Sequence, residues 1–543
     1  FMGFATQEIP VEGKTTINVE MAESVVGLNE VVVVGYGTQK VKDLTSSITT
    51  VKSEDIVKTP SGQTMQALQG KIAGLQVVSA GAPGASPTIR VRGIGSYPGN
   101  GTNNENPLYV VDGMFFDNID FLSPSDIASV SVLKDASSSA IYGVRAANGV
   151  VLITTKSGLK DQKAQITYNG YYGTQVAQNV VKMANAEQFT NWANESGSTA
   201  EASFILNAMQ RYGRSRVNPN VPVPNTDWYK EILRPAPIQN HNLTVSGGQA
   251  KTSYSIGGDY FAQSGILDME NDYQRFNLRS KIDYEANDWL TIGANVILSD
   301  ATKHAEDNGA WGLAYFAVPI MPVYDELNTW ANPTNYSNAK DLGYRDGQNP
   351  FVAMDYTNNF MKIRRTLANF YIKLDLIPEK LNFQSTYNNA NTFINDRHVL
   401  LPYYIADDFN RQFAEITKRT ETYVNKIWDN VLSYNNSFGD HNLGVVLGTS
   451  YRDESYEMLT AAGTDLVDLN EQAWYLHNAN NIDVNRVDDD GLRLYGLSYF
   501  GRVSYNYSNR YLLYATMRAD GTSKYQEKWG YFPAFGLGWV VSE

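Results

Sequence analysis

The sequence predicts a mainly β protein in which a transmembrane antiparallel β-barrel follows a smaller mixed α/β domain. Beyond residue 164 the strands are long and amphipathic; residues 276–286 alternate over eleven positions, and roughly 9 to 11 residues cross a bilayer at a tilt. The connections between these strands alternate between tight turns and linkers of dozens of residues, as in outer-membrane barrels. We find no apolar run long enough for a membrane-spanning helix, so a barrel is the remaining way to cross lipid.

The composition excludes several classes of protein. The 543 residues contain no cysteine and carry a net charge of -13, which excludes a disulfide scaffold and a cysteine metal site and argues against a nucleic-acid partner. The five histidines lack metal-ligand spacing, and no nucleophile elbow is present. The acidic cluster at residues 488–490 does not fit a calcium loop of the EF-hand type. We therefore expect no catalytic residues, no metal, no cofactor and no enzymatic activity.

The N-terminal 37 residues contain two β patterns. Residues 1–23 alternate in the manner of the last two strands of a small β-sandwich. Residues 28–37 read LNEVVVVGYG, in which four valines form a strong strand that the glycines break before a hairpin partner appears. An ordinary buried strand is the general interpretation of such a run. A strand that pairs with another protein is the alternative.

Residues 38–158 have short strands, small residues and glycine-rich loops, which predict a mixed domain of about 120 residues. Met65, Leu68 and Ile72 share one face of a predicted short helix over residues 63–73. Strands are predicted at residues 75–78, 88–92, 108–111, 127–133 and 149–155.

Three arginines of this domain are candidates for contacts with the barrel. Arg90 and Arg92 are two apart, which places them on one strand face, and Arg145 lies in a turn. Enclosed charges need partners of opposite sign. We therefore expect Arg90, Arg92 and Arg145 to meet carboxylates on the barrel wall.

The strand-rich part, residues 164–543, is organised in hairpins. Tight turns are predicted at residues 287–288, 378–379, 439–440 and 508–509, and long linkers at about 299–366 and 453–493. About a dozen strands are present, and the last residues are themselves strand-like, so we expect a truncated barrel. Aromatic residues near strand ends suit the two interfacial girdles against outer-membrane lipid: Tyr260, Trp289, Tyr387, Trp428, Tyr507 and Tyr511.

Specific strings extend over nearly the whole chain. Before the barrel they are LNEVVVVGYG (28–37), QALQGKIAGLQVVSAGAPGASPTIRVRGIGS (66–96), PLYVVDGM (107–114) and LKDASSSAIYGVRAANGVVLITTKSG (133–158). Within the barrel they are MRADGTSKY (517–525) and YFPAFGLGW (531–539). These strings closely resemble the SusC/RagA family of TonB-dependent outer-membrane transporters of Bacteroidetes.

The resemblance implies a domain organisation and partners. Residues 1–23 would end a carboxypeptidase-regulatory-like domain, residues 38–158 would plug the lumen, and residues 164–543 would form the first part of a 22-stranded barrel. A SusD-like surface lipoprotein would cover the extracellular mouth, and TonB with its inner-membrane motor would pull from the periplasm. The residues of the TonB box, within residues 28–37, would be Glu30, Val31, Val32, Val33, Val34, Gly35 and Tyr36.

The predicted function is TonB-dependent import of oligosaccharides or oligopeptides across the bacterial outer membrane, with displacement of the plug. Aromatic and amide groups in plug and extracellular loops suit sugars and peptides equally, so the substrate class stays open. A ligand-sensing signalling receptor and a transporter for another nutrient are the alternatives. The substrate-binding candidates are Asn100, Asn103, Asn104, Phe115, Phe116, Trp311, Tyr315, Trp330 and Trp474.

Overall fold

The computed structural model describes residues 19, 31–33, 35, 38–40, 48–79, 81–94, 106–213, 224–305, 309–328, 335–345, 347–407 and 409–541. The side chains of residues 31–33, 38–40, 136 and 137 are outside this description. The prediction for residues 1–23 falls, apart from Val19, outside the described residues.

A small hairpin precedes the first domain. Strand β1 (Val31–Val33) pairs antiparallel with β2 (Thr38–Lys40), with Val32 opposite Gln39. The two strands form a sheet of their own. The expectation that the valine run lacks a hairpin partner is therefore wrong. Gly35, which has a φ of 63°, adopts the left-handed conformation that glycine tolerates and that lets the chain reverse between the two strands.

The inner domain, residues 48–158, contains two sheets. A five-stranded sheet has the order β3-β8-β9-β6-β7, in which β6 and β9 are parallel, and β4 pairs with β5 in a second sheet. Alternating or wholly buried apolar residues in these strands build its core. The strands are β3 (Ile48–Lys52), β4 (Leu75–Val78), β5 (Thr88–Val91), β6 (Leu108–Val111), β7 (Met114–Phe116), β8 (Ile127–Leu133) and β9 (Val150–Thr155).

Helical structure in the inner domain is short. The α-helices are α1 (Ser53–Val57) and α2 (Ala136–Ser139), and 3-10 helices span Pro124–Asp126 and Ala140–Ala146. The helix predicted over residues 63–73 reduces to a 3-10 turn at Gln66–Leu68. The glycines at 70 and 74 both have positive φ and prevent its continuation, although Met65, Leu68 and Ile72 are all buried as expected.

The second part is one large antiparallel sheet, the wall sheet. Twelve strands follow one another in chain order, and a short thirteenth pairs beside one of them. This confirms the predicted number of about twelve. The strands are β10 (Gln165–Gln175), β11 (Ala236–Gln249), β12 (Thr252–Ser264), β13 (Asp272–Asn287), β14 (Leu290–His304), β15 (Thr357–Ile377), β16 (Leu381–Leu400), β19 (Glu415–Phe438), β20 (His441–Leu466), β22 (Asp488–Tyr507), β23 (Tyr511–Thr522) and β24 (Trp529–Trp539), with β21 (Ala479–Ile482) beside β20. A separate hairpin is formed by β17 (Tyr403–Ala406) and β18 (Phe409–Arg411).

The four predicted tight turns each separate two neighbouring strands of the wall sheet. The connections at the other end are long after β10, β14, β16 and β20, but short between β12 and β13 and between β23 and β24. The extent of the long ones also differs from the prediction. Strand β20 has 26 residues, so the predicted linker over residues 453–493 is largely strand. The connection from β10 to β11 is a long one that the sequence reading did not identify. Strands of this length extend well past the roughly 9 to 11 residues that a bilayer requires.

The long connections carry a helical cluster. It packs around buried residues such as Phe204, Trp228 and Ile320. The helices are α3 (Ala186–Glu195), α4 (Thr199–Tyr212), α5 (Trp228–Ile232), α6 (Gly309–Phe316) and α7 (Pro350–Asp355), with 3-10 turns at Lys340–Leu342, Glu471–Ala473, Leu476–Asn478 and Val484–Arg486. Within the described residues, each helix is too short or too polar to cross a membrane.

The wall sheet curves around the inner domain. Side chains of successive strands from β11 to β23 reach the same small domain, as Asn242, Asn277, Asn369, Asn425 and Arg518 show. A flat sheet of this width could not bring all these strands to one domain of about 110 residues. The inner domain therefore occupies the concave side of the sheet, as predicted for a domain in a barrel lumen.

Candidate functional site

The wall holds the inner domain through backbone carbonyls of that domain as well as through its side chains. Asn277 Nδ2 donates to the Phe121 carbonyl at 2.6 Å, and Arg279 Nη1 donates to the Lys156 carbonyl at 2.6 Å. Each such bond satisfies a buried carbonyl that would otherwise lose its hydration. The same pattern joins Arg275 to Asp120 and Gly62, Asn369 to Asp112, Asn425 to Phe115, and Arg518 to Ile141.

A buried ionic cluster reinforces this boundary. The Arg279 guanidinium lies 3.4 Å from the Asp126 carboxylate, and Ser123 Oγ donates to Asp259 at 2.8 Å. Arg275 lies 3.4 Å from the same Asp259. Burial raises the pKa of the Asp126 carboxyl, and the positive charge of Arg279 opposes that shift. A buried cluster of this kind defines the position of the inner domain on the wall more than it adds to the net free energy of folding.

Polar side chains of β13 face the inner domain to different degrees. Lys281 approaches Asp112 at 4.0 Å, whereas Asp283 accepts a hydrogen bond from Tyr371 of β15, across the intervening strand β14. Glu285 pairs with Lys160, just after the inner domain. Of the charged residues on this strand, Arg279 and Lys281 thus meet the inner domain.

The three arginines proposed as contacts to the wall have different surroundings. Arg145 Nη1 lies 2.9 Å from Glu454 Oε1 on strand β20, so its partner is a wall carboxylate. Arg92 instead pairs with Asp135 of the inner domain at 2.5 Å, and a wall partner was the wrong expectation. The reason is local: Arg92 has a φ of 58°, just past the end of β5, which turns it away from the face that Arg90 occupies. For Arg90 a wall carboxylate stays a prediction.

Backbone also approaches the wall very closely at two glycines. A Cβ built on Gly143, whose φ is 71°, would overlap the Asp520 carboxylate, and one on Gly84 would overlap the Tyr273 ring. Glycine is the residue that permits both the left-handed conformation and this proximity. At these two positions the inner domain and the wall therefore pack so closely that a single added methyl group would cause a steric clash.

A cavity lies between the inner domain and the wall. It has a volume of about 470 Å³ and is lined on the inner-domain side by Phe115, Phe116, Asp117, Asn118, Phe121 and Arg145. The wall contributes a mixture of aromatic, amide and charged groups, among them Arg365, Tyr423, Asn425, Glu454 and Tyr456. A larger adjoining cavity of about 1000 Å³ shares Asp117, Asn118, Arg145 and Glu454. Two connected cavities can accommodate an oligomeric ligand.

The structure brings together few of the predicted substrate-binding residues. Phe115 and Phe116 line the cavity of about 470 Å³ between the inner domain and the wall, which we call the plug–wall cavity. Trp311 and Tyr315 instead lie on α6 in the helical cluster. Trp474 is only 7% exposed: it packs beside Val399 and Ile416, and its Nε1 donates to the Leu469 carbonyl at 3.0 Å. These contacts show a packing role for Trp474, and its binding role stays a prediction. Asn100, Asn103, Asn104 and Trp330, like Glu30, Val34 and Tyr36 of the proposed box, lie outside the described residues.

The sequence reading missed the wall residues of the cavity. Tyr423 and Asn425 are two apart on β19, and the Tyr423 ring lies tilted against that of Tyr456 of β20 with 4.8 Å between ring centroids. Their shared inward face follows from the period of two in a strand. That alternation is a usable signal, but the cross-strand register that joins Tyr423 to Tyr456 was not available from one sequence.

Comparison with known proteins agrees with this architecture. The model of the TonB-dependent Receptor Plug Domain matches residues 40–150. TonB-dependent receptor P26 of Formosa agariphila is 32% identical over all of this chain and 53% of its own length, and TonB-dependent receptor SusC of Bacteroides thetaiotaomicron is 28% identical over all of this chain and 54% of its own. The chain thus spans about half the length of the curated relatives it matches.

A solved structure shares the fold. The RagAB peptide importer in its open-open state superposes with a TM-score of 0.75 at 25% identity, over 94% of this chain and 58% of that chain. The wall sheet and the inner domain are both included in a superposition of this extent.

Proposed function

Because this chain is a TonB-dependent receptor of the SusC/RagA type in the bacterial outer membrane, we propose that it imports oligosaccharides or oligopeptides, with energy delivered through TonB. The observation that carries the proposal is the inner domain seated against the concave wall by hydrogen bonds to its backbone carbonyls. A domain in that position blocks the interior of the sheet, and import then requires it to move.

Polar seating is compatible with reversible displacement. Hydrogen bonds and ion pairs at a boundary that water can enter exchange for bonds to water, at a net cost of roughly 0.5 to 1.5 kcal/mol for each neutral bond. An apolar boundary of the same area would offer no such exchange. The bonds reach mostly residues 112–156, so we expect this half of the inner domain to remain the more firmly held.

The proposed TonB box, within residues 28–37, contains β1, and β1 forms a hairpin with β2, which follows the box. In a two-stranded sheet each strand has one edge that its partner does not occupy, so a strand of TonB could add to the hairpin without opening it. A Cβ built on Gly35 would lie 2.9 Å from Ile141 Cγ2, which places the turn of the hairpin against the inner domain. Tension on the hairpin would then act close to the contacts between that domain and the wall.

The chain beyond the hairpin leads directly to an edge. Strand β3 is the terminal strand of the five-stranded sheet and pairs there with β8 over five residues. A pull from the N-terminal side reaches β3 before any other strand of that sheet. We propose that the pull detaches β3 and the segment after it from the sheet. This detachment would begin to open a path for the substrate along the wall.

The proposed partners follow from the relatives. A SusD-like lipoprotein would cover the cavities from the extracellular side, and the RagAB peptide importer is a neighbour whose name identifies peptides as its cargo. Aromatic and amide groups lining the cavity, such as Tyr423, Tyr456 and Asn425, suit sugar rings as well as peptides.

Deletion of residues 30–36 tests the proposal. We expect uptake of substrate by cells to be abolished, while assembly in the outer membrane and substrate binding stay at wild-type levels. The control replaces residues 159–163, a short segment between the inner domain and the wall, with glycine and serine at equal length, and should transport normally. Continued uptake after the deletion would show that the hairpin is not the point of energy transfer.

A further inference from the structure

One cation in the plug–wall cavity lacks an ionic partner. Arg365 of β15 lines the cavity, and its Nη2 donates to the Asn118 amide oxygen at 3.3 Å. The guanidinium carbon lies 5.4 Å from the centroid of the Phe121 ring. Among the residues that the structure describes, no carboxylate oxygen lies within 4.0 Å of the Arg365 guanidinium.

The other charged groups of this cavity are engaged differently. Arg145 and Glu454 neutralise each other at 2.9 Å. Asp120, which is the carboxylate that acts electrostatically on Arg365, has a pKa raised by burial and accepts a hydrogen bond from Ser86. Asp117 is exposed in the same cavity, and in the described part of the chain no cation pairs with it. Within the described residues, the cavity therefore presents one positive group, Arg365, and one negative group, Asp117, that have no ion-pair partner within 4.0 Å.

The neighbouring residue Arg364 is an arginine that does have an ionic partner. Arg364 lies on the opposite face of β15, where its Nε is 3.2 Å from Asp300 Oδ2. A half-buried guanidinium with an amide and an aromatic ring as neighbours retains donors for a further acceptor. A planar guanidinium binds a carboxylate through two parallel hydrogen bonds, which a neutral amide cannot reproduce.

We propose that Arg365 and Asn118 form a subsite for a carboxylate group carried by the substrate. The subsite rests on the proposed import function and narrows its substrates to acidic oligomers. The carboxylate could belong to a peptide or to a hexuronate unit of an oligosaccharide, and both present the same two oxygens. Asp117 would disfavour a second negative group beside the first, or accept hydrogen bonds from ammonium or hydroxyl groups.

Binding to the purified chain in detergent tests the subsite. The peptide arm compares N-acetyl-tetraalanine as free acid with its C-terminal amide, and the sugar arm compares trigalacturonate with its methyl ester, by titration calorimetry at constant salt. We expect the acid to bind roughly 10- to 100-fold more tightly than its neutral form in one arm, which then identifies the source of the carboxylate. This comparison uses the wild-type chain and is independent of whether a variant assembles.

Variants then assign the preference to Arg365. Arg365→Gln should remove the preference for the acid, Arg365→Lys should keep part of it because the charge remains, and Arg364→Gln is the matched control that should keep all of it. The proposal is overturned if neither acid binds better than its neutral form, or if the preference survives Arg365→Gln. Such a result would leave import untouched, since import is tested by deletion of residues 30–36 and binding in detergent needs no TonB.

Discussion

Arg145 of the inner domain and Glu454 of strand β20 form an ion pair across the boundary between domain and wall, with 2.9 Å between Nη1 and Oε1. Their side chains are 32% and 21% exposed, so water screens the pair in part. We expect a coupling free energy of about 1 kcal/mol or less from a double-mutant cycle of Arg145→Ala and Glu454→Ala.

Thiol labelling measures this coupling, since the chain has no cysteine of its own. Ala146→Cys, buried in the inner domain, reports displacement of that domain in a urea series. The control cycle uses Arg493 and Asp453, a pair with 2.9 Å separation within the wall. Loss of that control pair should leave labelling of residue 146 unchanged. An equal effect of both cycles on labelling would mean that the Arg145 pair stabilises the wall and not the attachment of the inner domain to it.

Gly143→Ala should impair seating of the inner domain. The substitution adds a Cβ that meets the Asp520 carboxylate, in a backbone conformation with φ of 71°. The ψ of Gly143 is -154°, and this combination of φ and ψ is essentially restricted to glycine and costs roughly 1 to 3 kcal/mol for a residue with a side chain. Gly70→Ala is the control for a positive φ without the close contact, because Gly70 has a φ of 74° and open space where the Cβ would lie. We expect a larger decrease in thermal unfolding temperature for Gly143→Ala, and equal decreases would contradict the proposed close fit.

Asp120 should make stability depend on pH. Burial raises the pKa of its carboxyl, against the opposing charges of Arg365, Arg275 and Lys303. A group whose pKa is higher in the folded state stabilises that state below its unfolded pKa, near 3.9, and the contribution is lost as pH rises through the folded value. The unfolding temperature of the wild type, relative to Asp120→Asn, should therefore fall from about pH 4 upward. A difference that is constant or that increases with pH would rule out this assignment.

Trp474→Ala should loosen the connection between β20 and β22 without changing ligand affinity. The ring is buried in a small cluster with Leu466 and lies 4.8 Å below the Arg397 guanidinium. Removal of a buried tryptophan typically costs about 3 to 5 kcal/mol. Hydrogen exchange in residues 467–482 should accelerate, while the probes of the carboxylate subsite bind within about twofold of the wild type, a difference under roughly 0.5 kcal/mol. A clear loss of affinity would restore the binding role that the sequence suggests.

The architecture was predictable because strand alternation and turn residues are local properties. The four tight turns of the wall sheet follow from residues such as Pro378 and Gly439, and the twelve long strands follow from period-two patterns. The candidate site was less predictable. The site depends on which wall strand faces which loop of the inner domain. Strand register and sheet curvature decide this, and neither can be read from residues that are adjacent in the sequence.

Two particular errors show the same limit. Arg92 fits a strand pattern, yet its positive φ turns it toward Asp135. Trp474 fits the composition of a binding loop, yet the continuation of β20 beyond the expected strand end buries it. Conversely, Arg365 gave no sequence signal apart from its alternation with Arg364. Its significance comes from the lack of a carboxylate oxygen within 4.0 Å of its guanidinium in the described part of the fold.

The hydrogen bonds from wall side chains to inner-domain carbonyls have an evolutionary consequence. A carbonyl is present whatever the residue, so Asn277, Arg279 and Arg518 recognise the path of the inner domain and not its side chains. Substitutions at Lys156 can therefore accumulate while its carbonyl keeps the bond to Arg279, whereas the side chains of Phe121 and Ile141 are also constrained by their burial in the core. A gene duplication could exchange cargo-facing loops of the inner domain for new ones without re-evolving the contacts that keep it in place.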